Sequence, residues 1–237
     1  MNGVSGRRKR GGRFAIGYLA AAAAAAIGLS VVFDGSKIDE HKPERNILNA
    51  QEIHQSNNED RMNVFACYTA RFEGRRNRVY DPNPNDERPE PTIGVGHYMD
   101  RGNSRETFAR VLLDVDFDAV YNGTATLTNA QIDALFADDL RQYVRRARNL
   151  APQFDNFPVS VQTALVDMAY RGDFGGSPRM RTLLNDGRIR EAADEYINRK
   201  EYHDAERNGM RGIRTRMDSN RQRLLDYARE LENLPRR

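Results

Sequence analysis

Residues 71–97 read RFEGRRNRVYDPNPNDERPEPTIGVGH. This stretch decides the fold. Met62, Phe65, Ala66, Thr69 and Phe72 recur at helical spacing before it, which predicts a helix over 59–72 with Gly74 as its stop. Glu73 then ends that helix. Arg78-Val79-Tyr80 and Thr92-Ile93-Gly94-Val95-Gly96-His97 predict two short strands around a long Pro/Asn-rich turn, residues 81–91.

Beyond residue 104 the pattern turns helical. Ser104 can cap a helix to about Leu113, and Thr128 can begin a longer one carrying Ile132, Phe136, Leu140, Tyr143, Val144 and Ala147. Pro158 suits the first turn of a helix carrying Val161, Ala164, Leu165, Met168 and Ala169. Further helices fit 178–185, 187–203 and 213–232. The expected fold class is α+β, a small hairpin subdomain beside a mostly helical one.

The N-terminus sets an expectation of topology. Phe14 to Phe33 carries no charge, and 20 residues at 1.5 Å rise span about 30 Å, the hydrocarbon thickness of a bilayer. Arg7, Arg8, Lys9, Arg10 and Arg13 precede it; Asp34, Asp39 and Glu40 follow, which places the N-terminus in the cytoplasm. The expected layout is a basic tail over 1–13, a transmembrane signal-anchor over 14–33, a linker over 34–58 and a catalytic domain over 59–237. The domain would then lie in the periplasm. A cleaved signal peptide is the alternative.

Composition narrows the function. The formal charge is +3, but the tail holds +5 of it, leaving −2 on the remainder. Nucleic acid is therefore not an expected partner. A single cysteine, Cys67, excludes a disulfide framework within one chain. Cys67 is read as a small buried residue, and His97, with no partner at metal-ligand spacing, as a structural hydrogen-bonding or ion-pairing histidine. The arginines at 207, 211, 214, 216, 221 and 223 read as a solvated helix face, with contact to peptide carboxylates as the functional alternative.

The chemistry lies in the opening stretch. A carboxyl facing the negative end of a helix dipole holds its proton more firmly, as a general acid requires. Asp81 at the end of the first strand and Thr92 at the start of the second can face the same cleft as Glu73. Two carboxyl groups with a water between them are the apparatus of an inverting glycoside hydrolase.

The run resembles the T-even-type phage lysozymes, the muramidases of glycoside hydrolase family 24. Their pattern is a helix ending in Glu-Gly, a strand with Tyr and a nearby Asp, then Thr-Ile-Gly-x-Gly-His. Leu127-Thr128-x-x-Gln131 and the run Ala164 to Arg171 also look similar, so the resemblance spans roughly 60–230. It implies a lysozyme-like fold, Glu73 as acid, Asp81 as base or electrostatic partner, and Thr92 positioning water. It implies peptidoglycan as substrate, a monomer, and no metal or organic cofactor. The family spaces its Asp nine residues after the Glu and six before the Thr. Here Asp81 is eight after Glu73 and 11 before Thr92, whereas Asp86 is six before Thr92. Both stay candidates, with Asp81 favoured for its place beside the tyrosine. Arg171 stands where many members carry Asn or Gln at the cleft floor. The Ala/Gly-rich 14–33 segment resembles the releasable signal-anchor of some phage endolysins, which would hold the protein on the host inner membrane until release into the periplasm. A membrane-anchored, non-catalytic glycan-binding or virion protein on the same scaffold is the rival reading.

Overall fold

The helix that leads into the site starts earlier than its apolar face announces. In the computed structural model, which describes residues 50–82, 84 and 87–234, α1 runs Ala50–Ala70. Its first nine residues, polar apart from Ala50 and Ile53, belong to the expected linker. Phe65, Tyr68 and Thr69 are buried along its inner face. Cys67 is exposed, correcting the expectation of burial. Two residues on from Phe65, at about 100° each, it turns away from the buried face. The expected membrane segment lies outside the described residues. Among those described, no helix is long and apolar enough to cross a membrane.

The hairpin proves to be three strands: β1 (Arg76–Tyr80), β2 (Thr92–Gly94) and β3 (His97–Tyr98), antiparallel in that order. Gly94 at φ +67° and Gly96 at φ +75° adopt the left-handed backbone and fold the expected second strand back on itself. Tyr80 pairs with Thr92 and Arg76 with Gly94, so β1 carries extra residues against β2 and the ladder is irregular.

The helices follow: α2 (Ser104–Val111), α3 (Phe117–Tyr121), α4 (Asn129–Leu150), α5 (Val159–Arg171), α6 (Pro178–Asn185), α7 (Ile189–Ile197), α8 (Lys200–Asp204) and α9 (Arg211–Glu232). Thr128 caps α4 through a reciprocal box: its hydroxyl accepts from the Gln131 amide, and its own amide donates to Gln131 Oε1 at 2.8 Å. Asn198 and Arg199 leave helical geometry and divide the expected 187–203 helix into α7 and α8.

α5 is the central helix. Every residue from Val161 to Tyr170 is buried, including Gln162, Thr163 and Asp167. It packs against α1, α4 and α9. A helix apolar on nearly all sides belongs in a core. Pro158 opens it and Gly172, at φ +87°, closes it. The sheet docks on α4, where the Ile132 and Leu135 side chains lie against Gly94. The hairpin lobe and helical lobe thus share one apolar cluster.

Candidate active site

Glu73 lies three residues past the end of α1, in the turn before β1. The expected helix-end position is therefore corrected. Phe72 bonds back to the Thr69 carbonyl, and two turn residues carry the chain beyond the last helical residue. The nearest charge on Glu73 is a guanidinium instead. Arg216 Nη1 on α9 donates to Glu73 Oε1 at 2.5 Å.

Arg216 is itself buried and shared. Its Nε and Nη2 bind the two oxygens of Asp167 on α5 at 2.9 and 2.7 Å. Asn220, one turn on along α9, donates to Asp167 Oδ2 at 2.7 Å. Tyr68 of α1 donates to Asn220 Oδ1 at 2.8 Å. The guanidinium also lies over the Phe72 ring, 5.4 Å from its centroid. Burial opposes the arginine's charge, but hydrogen bonds and charge from Asp167 and then Glu73 more than offset it and hold its pKa above the ordinary value. Arg216 therefore does not belong to a solvated arginine face. The expectation holds better for its neighbours: Arg207, Arg214 and Arg221 pair with Asp204, Glu206 and Asp194 near the surface. Periodicity could have flagged the exception, because Arg216 falls on the inner face of α9 with Met217, Asn220 and Leu224.

The second oxygen of Glu73 faces the β2–β3 turn. A Cβ added at Gly96 would sit 3.2 Å from Glu73 Oε2 and 3.4 Å from the Tyr170 ring. Glycine at 96 therefore serves both the positive φ and the close approach to Glu73. Tyr170 donates its hydroxyl to the Val95 carbonyl. Burial first, then the charges of Asp139 and Glu73, raises that hydroxyl's pKa well above the ordinary value.

Asp81 follows β1 directly and Thr92 opens β2. The Tyr80–Thr92 pair brings them to the same end of the two strands. Tyr80 reports the nearness of Glu73: burial, then the charge of Glu73, raises its pKa against the pull of Arg76. The Thr92 hydroxyl donates to the Glu90 carbonyl at 2.8 Å, which leaves its oxygen able to accept. The other candidate carboxylate, Asp86, lies outside the described residues.

His97 is structural, as expected. It is buried between Asp139 (Nδ1 to Oδ2, 2.8 Å) and Ser104 (Nε2 to Oγ, 2.8 Å), and Arg101 pairs with the other oxygen of Asp139. Arg171 at the end of α5 bonds Glu201 and Asp173. It thus ties α5 to α8 and is largely occupied by protein partners.

No curated protein matches the chain. A family model described as phage lysozyme matches residues 70–220, which hold Glu73, the sheet, α5 and Arg216. With well over half its length covered by that match, the chain belongs to the phage lysozyme family.

Proposed function

We propose that the protein is an endolysin-type muramidase that hydrolyses the β-1,4 bond between N-acetylmuramic acid and N-acetylglucosamine in peptidoglycan. The observation that carries this reading is the hold on Glu73: one carboxyl oxygen is fixed by a buried arginine, and the carboxyl as a whole stays partly exposed (19%) beside the glycine turn. Arg216 occupies Oε1, so Oε2 is the oxygen from which Glu73 would protonate the leaving glycosidic oxygen. Asp81 would take a proton from the attacking water, and Thr92 would hold that water through its accepting oxygen. Intact acid geometry favours this over a glycan-binding protein without activity.

Glu73→Gln tests it. An amide of the same shape cannot donate the proton, so turbidity clearing of permeabilised Gram-negative cells should fall by roughly 100- to 10,000-fold while the thermal midpoint stays near wild type. Activity within a few-fold of wild type would overturn the mechanism. Asp81→Asn should also lose turnover, and a larger loss from Asp86→Asn would move the base to Asp86.

The reading extends to residues 14–33 as a signal-anchor that inserts weakly and lets the full-length protein leave the inner membrane when it depolarises. Ten Ala or Gly among 20 uncharged residues support it. Replacing four alanines of Ala20–Ala26 by leucine adds roughly 1–2.5 kcal/mol of insertion, or about 5- to 70-fold in the ratio of inserted to released protein. That variant should stay in the membrane fraction and lyse late. A wild-type periplasmic form lacking residues 1–33 would instead mean cleavage.

A further inference from the structure

Resting on Glu73 as the acid, we propose that Asp167, which touches no substrate, is the positioning residue that makes Glu73 usable as a proton donor, by claiming most of Arg216. The geometry is unequal in a telling way. Arg216 gives two of its N–H groups to Asp167 and one to Glu73. Bidentate pairing fixes the guanidinium plane, so Nη1 reaches only one Glu73 oxygen and Oε2 stays open. Asp167 is fully buried and further held by Asn220, which Tyr68 orients in turn. Three helices thus build a rigid support behind a single carboxyl.

The charge balance follows from the same contacts. An unshared guanidinium 2.5 Å away would favour the ionised form of Glu73 and remove its proton at lower pH. A buried carboxylate on the far side of that guanidinium offsets it. Tyr80 on β1 and Tyr170 on α5 also feel the charge of Glu73. Both tyrosines have raised pKa values and stay neutral near neutral pH, and Asp167 is the carboxylate paired directly with Arg216.

The test is the pH–rate profile of the full chain in mild detergent on purified peptidoglycan, with released muropeptides counted. The alkaline limb reports loss of the acid's proton. Asp167→Asn should move that limb down by ~1 unit or more, a roughly tenfold loss of activity on its alkaline side, and Asp167→Glu should bring it back. The Asp167→Asn, Arg216→Gln double variant removes both partners of the pair, so it reads the effect even if the single variant does not fold: if the two charges offset one another at Glu73, its limb should lie near that of wild type. A uniform fall in kcat with the limb unmoved in Asp167→Asn, or a limb moved up in the double variant, would make Asp167 a packing residue and overturn the proposal. Glu73→Gln measured alongside separates the failures. An active Glu73→Gln removes the acid assignment; an inert one with an unmoved limb removes only the role of Asp167.

Discussion

Two buried polar clusters of this protein use the same materials for different ends. In the first, His97, Asp139, Ser104 and Arg101 join β3, α4 and the start of α2. His97 and Asp139 are each 1% exposed, and both ring nitrogens and both carboxylate oxygens meet protein partners. In the second, Asp167, Asn220, Tyr68 and Arg216 join α5, α9 and α1. It differs at one point: the remaining Arg216 Nη1 reaches Glu73, whose side chain is 19% exposed. The first cluster reaches solvent only through Arg101, a cation already paired with Asp139. The second ends in a carboxyl that meets solvent beside Gly96. What sets the two apart is the group at which the chain of hydrogen bonds ends: a paired cation in one, a candidate acid in the other.

Breaking each cluster should sharpen that contrast. Arg216→Met should have the largest effect on stability, about 3–5 kcal/mol, because it strands Asp167 as an uncompensated buried carboxylate. It should also slow lysis by the surviving folded fraction, because Glu73 Oε1 loses its anchor. Asp139→Asn should cost about 2–4 kcal/mol by the same logic, somewhat less because Arg101 is partly exposed. Lytic activity per folded molecule should stay within a few-fold of wild type. Urea unfolding with an activity assay on the folded fraction checks both, and equal activity losses would erase the distinction.

A smaller effect is expected at the turn. Gly96→Ala meets a φ of +75° and a Cβ 3.2 Å from Glu73 Oε2. The left-handed conformation alone costs an alanine roughly 1–2 kcal/mol. Displacement of Glu73 should make the loss of kcat larger than the stability change alone explains. A variant destabilised by this amount with unchanged kcat would show that Glu73 tolerates the shift.

The smallest effect belongs to an ion pair whose arginine lies at the surface, although Asp138 itself is buried. Asp138, held first by Arg110 and then by Gln142, has its pKa pushed well below the ordinary carboxylate value. A depressed folded pKa means a stabilising contribution present above the unfolded value, near 4, and lost as pH falls through the folded one. Arg110 is 59% exposed, so solvent screens the pair and the contribution should stay below about 1 kcal/mol. Asp138→Asn should reduce stability slightly at pH 7, and that loss should shrink as pH falls below about 4. A loss at pH 7 of several kcal/mol would place this pair with the buried clusters.

Much of this was legible in the chain itself. Thr128 and Gln131 announce α4 because capping is local chemistry between residues three apart. Pro158 and Gly172 bound α5 because each has a restricted or unusual backbone. The α+β class follows from a period change near residue 104. Glu73, Asp81 and Thr92 stood out as candidates because motif and spacing are one-dimensional properties. The division of 92–98 into two strands was harder to see: Gly94 and Gly96 permit a reversal, but only docking on α4 requires it.

The company each charge keeps is settled by packing. Sequence periodicity describes one helix at a time, and so it grouped Arg216 with its exposed neighbours. Whether an arginine is solvated depends on what the next helix presents. Here α5 offers Asp167, more than 40 residues away in the chain, and the α1–β1 turn offers Glu73, more than 140 away. Coulombic pairing acts through space and grows as water is excluded, so the partners emerge only when the three helices pack. Local motif and spacing name the residues that could do the chemistry; packing sets which charge stands beside them.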